Sequence, residues 1–78
     1  MNINEFNLAM RHIEHEADGD ATHFNFLIGD DNWIYNCSYQ MLTDPPSTRI
    51  LALKHRDADF SMFIGLSEIR AIAWSPQP

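Results

Sequence analysis

The stretch FIGLSEIRAIAW, Phe63 to Trp74, has two readings, and the fold depends on the choice between them. Read as a helix, Ser67 caps a segment in which Leu66, Ile69 and Ala73 recur at helical spacing. Read as strands, the apolar run at Phe63 ends in a short turn at LSE. Ile69 to Trp74 then forms a further strand with Arg70, Ile72 and Trp74 on one face. The segment is too short to sustain an independent helix, and the WSPQP that follows blocks extension. The strand reading is therefore the expectation, over about residues 69–75.

Working back from it, FSMFIGL alternates Phe60, Met62 and Ile64 on one side, which predicts a strand over about 59–65. RDAD is its entry turn. TRILALKHR predicts a strand over about 48–56, where Ile50 to Leu53 put apolar side chains on both faces, as expected of a strand covered on both sides. WIYNCSYQML predicts a long strand over about 32–43, with Trp33, Tyr35, Cys37, Tyr39 and Met41 on one side and Asn36, Ser38 and Gln40 on the other. Pro45 and Pro46 end it, because proline donates no ladder hydrogen bond. GDDN supplies hairpin residues, and Phe24, Phe26 and Ile28 share one face of a strand over about 22–29.

Ahead of the strands the period lengthens. Ile3, Phe6, Met10, Ile13 and Ala17 recur at spacings of three and four, while Arg11, Glu14, His15 and Glu16 fall largely off that stripe. This predicts an amphipathic helix over about 3–17. Asn2 with Glu5 three residues on has the form of a capping box, and Gly19 can take the left-handed conformation that closes a helix.

The 78 residues suit a single domain, 1–78, and a content of 45% apolar residues with nine aromatics is too hydrophobic for intrinsic disorder. Cys37 is the only cysteine, so no intramolecular disulfide can form. That favours a reducing compartment. MNINEFNLAM lacks a basic segment followed by an apolar one, and no run approaches the ~20 apolar residues of a membrane span; the expectation is a cytoplasmic protein with no membrane association. Five Lys or Arg against eleven Asp or Glu give a formal charge of -6, the wrong sign for long-range attraction to nucleic acid. A solvated acidic surface accounts for the charge. The alternative is an acidic face that engages a basic protein or imitates nucleic acid.

One helix, five strands and a tight turn between the fourth and fifth resemble the Sm and Sm-like proteins, and FIGLSEIRAI, Phe63 to Ile72, is similar to that family's second motif. The resemblance implies an α+β, mainly β fold: an N-terminal helix on a strongly bent five-stranded antiparallel sheet, a small open barrel of Sm-like or SH3-like type. It also implies self-association into a ring, the fourth strand of one subunit pairing with the fifth of its neighbour. Gly65-Leu66 stands where the family carries Arg-Gly or Lys-His for its RNA pocket. The first motif's Asp, Asn and strand-bending Gly have no counterpart in NWIYNCSYQMLTD. No RNA-pocket residue is carried over.

The chemistry-bearing residues point away from catalysis. Cys37 between Tyr35 and Tyr39 has the place of a small apolar filler, Asp30-Asp31 and Asp57-Asp59 fall in turn sequences, and three glycines make no phosphate loop. No enzyme, cofactor or metal site is expected; His12 and His15 at i and i+3 could share a helix face, but two imidazoles do not make a site, and a third or fourth ligand would have to come from His23, His55, Cys37 or an acid. Lys54, His55 and Arg56 gather in a basic edge and are the candidate nucleic-acid contacts. Trp33, Tyr35, Tyr39 and Trp74 are the candidate interface residues, although a domain this small also needs such side chains in its core. The expected function is a non-catalytic binding and assembly module that acts through protein contacts as a homo-oligomer. The alternatives are an RNA-binding regulator and an acidic inhibitor of a nucleic-acid-binding protein.

Overall fold

A computed structural model describes residues 1–19, 21–45 and 48–74. Parts of the expected turns around residues 18–20 and 43–47, Pro46, the last residue of the expected final strand and the terminal PQP lie outside the described residues. The elements run α1 (Ile3–Glu16), β1 (Phe24–Ile28), β2 (Asn32–Leu42), β3 (Ile50–His55), β4 (Met62–Gly65), a single 3₁₀ turn (Leu66–Glu68) and β5 (Ile69–Ala73). All strand pairs are antiparallel, in the order β4-β3-β2-β1-β5.

Helix α1 begins where the sequence supplies its own cap. The Asn2 side-chain carbonyl accepts from the Glu5 N–H, and the Glu5 carboxylate accepts from the Asn2 N–H, each at 2.8 Å. Two of the donors a helix start leaves unpaired are thereby satisfied. The helix closes with Gly19 at φ +82°, its N–H reaching back to the Glu14 carbonyl at 3.1 Å. Phe6 is buried, and Ile3, Met10 and Ile13 pack around the core beside it.

The stretch from Phe63 to Trp74 resolves as strand, one 3₁₀ turn, strand. That turn shapes the whole sheet. Since β4 and β5 are the two edges, a flat sheet would hold them four strand spacings apart, roughly 19 Å. Gly65 and Ile69 are four residue steps apart, which span at most about 14 Å even when fully extended. The sheet must curl at this end for the connection to close. Hydrogen bonds pin the turn to both sides: Leu66 N–H to the Arg49 carbonyl before β3 (2.9 Å), and Gly29 N–H after β1 to the Glu68 carbonyl (3.2 Å). No ladder joins β4 to β5, so the curled sheet stays open.

The core gathers on the inner face, where Phe24, Phe26, Cys37, Leu51, Leu53 and Ile69 of the strands meet Phe6 of α1 and Leu66 of the 3₁₀ turn, all buried. Two bulges change the faces expected from simple alternation. Phe24 pairs with Cys37 but Phe26 pairs with Ile34, so Tyr35 and Asn36 together oppose Asn25. Asn36 takes the left-handed conformation at φ +55°, and its N–H donates to the Asn25 side-chain carbonyl at 3.0 Å. Alternation therefore flips within β2. Trp33 and Tyr35 do not share a face with Cys37, Tyr39 and Met41; Ile34 takes the inner place before the bulge. On β5 a second shift between its pairings with Leu27 and Ile28 leaves Arg70 as the extra residue. Ile69 is buried, Arg70 exposed and Ile72 packed against the core, so Arg70 does not share the face of Ile72 and Trp74.

β4 starts at Met62, since its ladder with β3 ends at the pair Leu53 and Met62. Phe60 accordingly lies ahead of the strand and is exposed, where alternation had placed it in line with Met62 and Ile64.

Candidate binding surfaces

The β2 bulge divides the four candidate interface residues between two environments. Trp33 and Tyr35 lie on the outer face, 37% and 55% exposed, their rings stacked at 6.3 Å with planes 22° apart. Trp33 pairs with Leu27, which pairs with Ala71 across β5, so the stacked rings continue a short apolar row over three strands. Tyr39 pairs with buried Leu53 on the inner face and meets Phe6 and Phe24 edge-on, at centroid distances of 5.4 and 5.5 Å. Trp74, just past β5, is half-buried against the core.

Asp30 and Asp31 fill the β1–β2 turn next to Trp33, and Glu68 joins that end of the sheet because the 3₁₀ turn is tied to Gly29. Three acidic residues therefore lie at the end of the sheet from which Trp33 and Tyr35 run. Such a surface favours cationic groups, through the carboxylates and through the ring faces.

Lys54, His55 and Arg56 do not line one face. Lys54 pairs with Ser38 and is exposed on the outer side, whereas His55 pairs with Cys37 on the inner side and is partly buried. The His55 ring nitrogen Nδ1 accepts from the Asp57 N–H at 3.0 Å. Arg56 is in the following turn, its backbone N–H bound to the Asn36 carbonyl at the bulge, 3.0 Å away.

The register places His55 directly across from Cys37. A thiol nucleophile needs an environment that favours thiolate. Here Cys37 is 1% exposed, burial pushes its thiol up from the ordinary range, and Sγ lies 3.4 Å from the Tyr35 carbonyl, which accepts from the thiol. The folded state disfavours the charged form, so native protein should react with an aromatic disulfide reagent at least tenfold more slowly than urea-unfolded protein at pH 8. Equal rates would mean that the thiol is open to solvent. Raising the pH through the unfolded thiol's range should lower stability slightly, because only the unfolded chain then ionises freely.

Among the described residues no three His, Cys, Asp or Glu side chains come together as a metal site, and no helix is long and apolar enough to cross a membrane. A separate cleft opens between α1 and β2, lined by Met10, Glu14, Thr22, Phe24, Ser38 and Tyr39 among others. Spacing along the chain gave no sign of it, because it forms only where the helix docks on the sheet. Compared with known proteins, the chain matches no family model, no curated protein and no solved structure.

Proposed function

We propose that this chain is a non-catalytic binding and assembly module of Sm-like or SH3-like barrel type that acts through protein contacts and self-association. The observation that carries the reading is the open sheet: β4 and β5 are both edges, each laddered to one neighbour only, and the N-terminal ammonium of Met1 takes the Ile69 carbonyl at the start of β5, which leaves β4 the more open edge for another chain. The β4 edge is also the stickier one. Phe60 and Phe63 are 68% and 65% exposed there, and Met62 is exposed beside them. Large apolar side chains gathered at an unpaired edge favour a partner strand over water. The stacked Trp33 and Tyr35 offer a second contact surface on the outer face. The separation of Lys54 from His55 across the sheet weighs against a phosphate-tracking strip.

Light scattering behind a sizing column tests this on nucleic-acid-free protein, before and after adding short single-stranded RNA. The expected result is an assembly several times the 9.0 kDa chain mass, unchanged by RNA, that falls towards monomer in Phe63→Glu. A monomer at all concentrations would overturn the self-association. An assembly that takes up RNA would replace this reading with an RNA-binding one.

A further inference from the structure

The cleft between α1 and β2 has a volume of about 340 Å³, within the ~300–1,000 Å³ common for small-molecule sites. Its walls are of two kinds. Met10, the Phe24 ring and the Tyr39 ring give it an apolar floor, and the edge-on contacts of Tyr39 with Phe6 and Phe24 hold that floor in place. Glu14, Thr22 and Ser38 supply its polar groups. Both hydroxyls are already engaged, Thr22 Oγ1 with His23 Nδ1 at 3.0 Å and Ser38 Oγ donating to the Lys54 carbonyl at 3.4 Å. Among the described residues the Glu14 carboxylate has no such partner.

The charge of the cleft runs against what a helix end prefers. A helix presents unpaired carbonyls and a negative dipole at its C-terminus, where basic side chains are stabilising. This one has Glu14 and Glu16 in that region and Asp18 just beyond, with only His15 as a basic residue in the last turn. The acids therefore add to the dipole. Of these acids Glu14 lines the cleft and acts on its floor: burial pushes the Tyr39 phenol up, and the Glu14 charge pushes it further the same way. Local rules broken without a local gain concentrate at functional sites.

We infer that this cleft binds a small organic cation with an aromatic body, of the arylalkylamine class. Its ammonium lies against Glu14 at the carbonyl end of α1, and its ring lies on Met10, Phe24 and Tyr39. An anion of the same shape meets the same carboxylate and the same dipole end, and is rejected. The inference is independent of the assembly reading, since neither edge strand contributes to the cleft.

Titrating isotope-labelled protein with phenethylamine, and in parallel with 3-phenylpropionate, tests it by amide NMR shifts. The amine should shift Thr22, Ser38 and Tyr39 saturably with a Kd of about 1 mM, a value suited to so small a ligand. The carboxylate should leave them in place. Glu14→Gln, an exposed change that keeps the shape of the side chain, should weaken the amine about tenfold by removing the charge-assisted contact, while the spectrum keeps its folded dispersion. Absence of saturable shifts in the cleft, an equal response to the carboxylate, or full affinity in Glu14→Gln would each overturn it. So would amine shifts confined to Trp33 and Tyr35.

Discussion

Phe26→Ala is expected to leave most of the chain unfolded at 25 °C, whereas Phe63→Ala, compared with the parent at a dilution where both are monomeric, is expected to leave stability within about 0.5 kcal/mol of the parent. The contrast follows from where two chemically identical side chains lie. Phe26 is 0% exposed on β1, a strand paired on both sides, opposite Ile34 and Ile72. Its ring meets Phe24 and Tyr39 at centroid distances of 6.3 and 6.4 Å. Truncating a buried Phe costs about 3–5 kcal/mol in lost transfer energy and residual cavity. A single core in a domain of this size supplies only about 3–5 kcal/mol in total. One substitution therefore offsets nearly the whole margin. Phe63, 65% exposed beside an edge, leaves no cavity when shortened. Urea melts followed by circular dichroism read both effects, and equal midpoints for the two variants would mean that the inner and outer faces have been exchanged.

What the sequence disclosed and what it concealed divide along the range of the interactions involved. The helix was legible because its signals are local: a 3.6-residue stripe, a capping pair three residues apart and a glycine able to turn left-handed. The resolution of FIGLSEIRAIAW was legible for a related reason, since a segment too short for a helix and ended by proline leaves few alternatives. The sites were less legible. Which of Trp33, Tyr35 and Tyr39 faces water depends on an extra residue in β2, and a bulge is set by how β2 pairs with β1. The opposition of Cys37 and His55 likewise depends on the β2–β3 register, over a separation of eighteen positions. The Glu14 cleft needs α1 seated against the sheet. Its one trace in the sequence is the run of acids at a helix end that prefers bases.

The bulge gives the second large effect, and its sign separates two readings of the same strand. Were β2 regular at Asn36, replacing this residue with Val would help, because β-branched side chains suit a pleated strand better than Asn by up to about 1 kcal/mol. At φ +55° the outcome reverses. A side chain branched at Cβ is strained in the left-handed region, at a cost of about 1–2 kcal/mol. The chain cannot escape by ironing out the bulge. A one-residue slip would move either Ile34 or the set Cys37, Tyr39 and Met41 from the inner face to the outer. It would also break the bonds that fix Asn36 from two sides, its N–H to the Asn25 side chain and its carbonyl from the Arg56 N–H, each at 3.0 Å. Asn36→Val should therefore lower stability by about 1–2 kcal/mol in a urea melt. Asn36→Gly, which occupies the same conformation without strain, should stay within a few tenths of the parent. Asn25→Ala should lose about 1 kcal/mol with the side-chain acceptor. A stabilised Asn36→Val variant would mean that β2 runs straight, and it would return Trp33 and Tyr35 to the face of Cys37, Tyr39 and Met41.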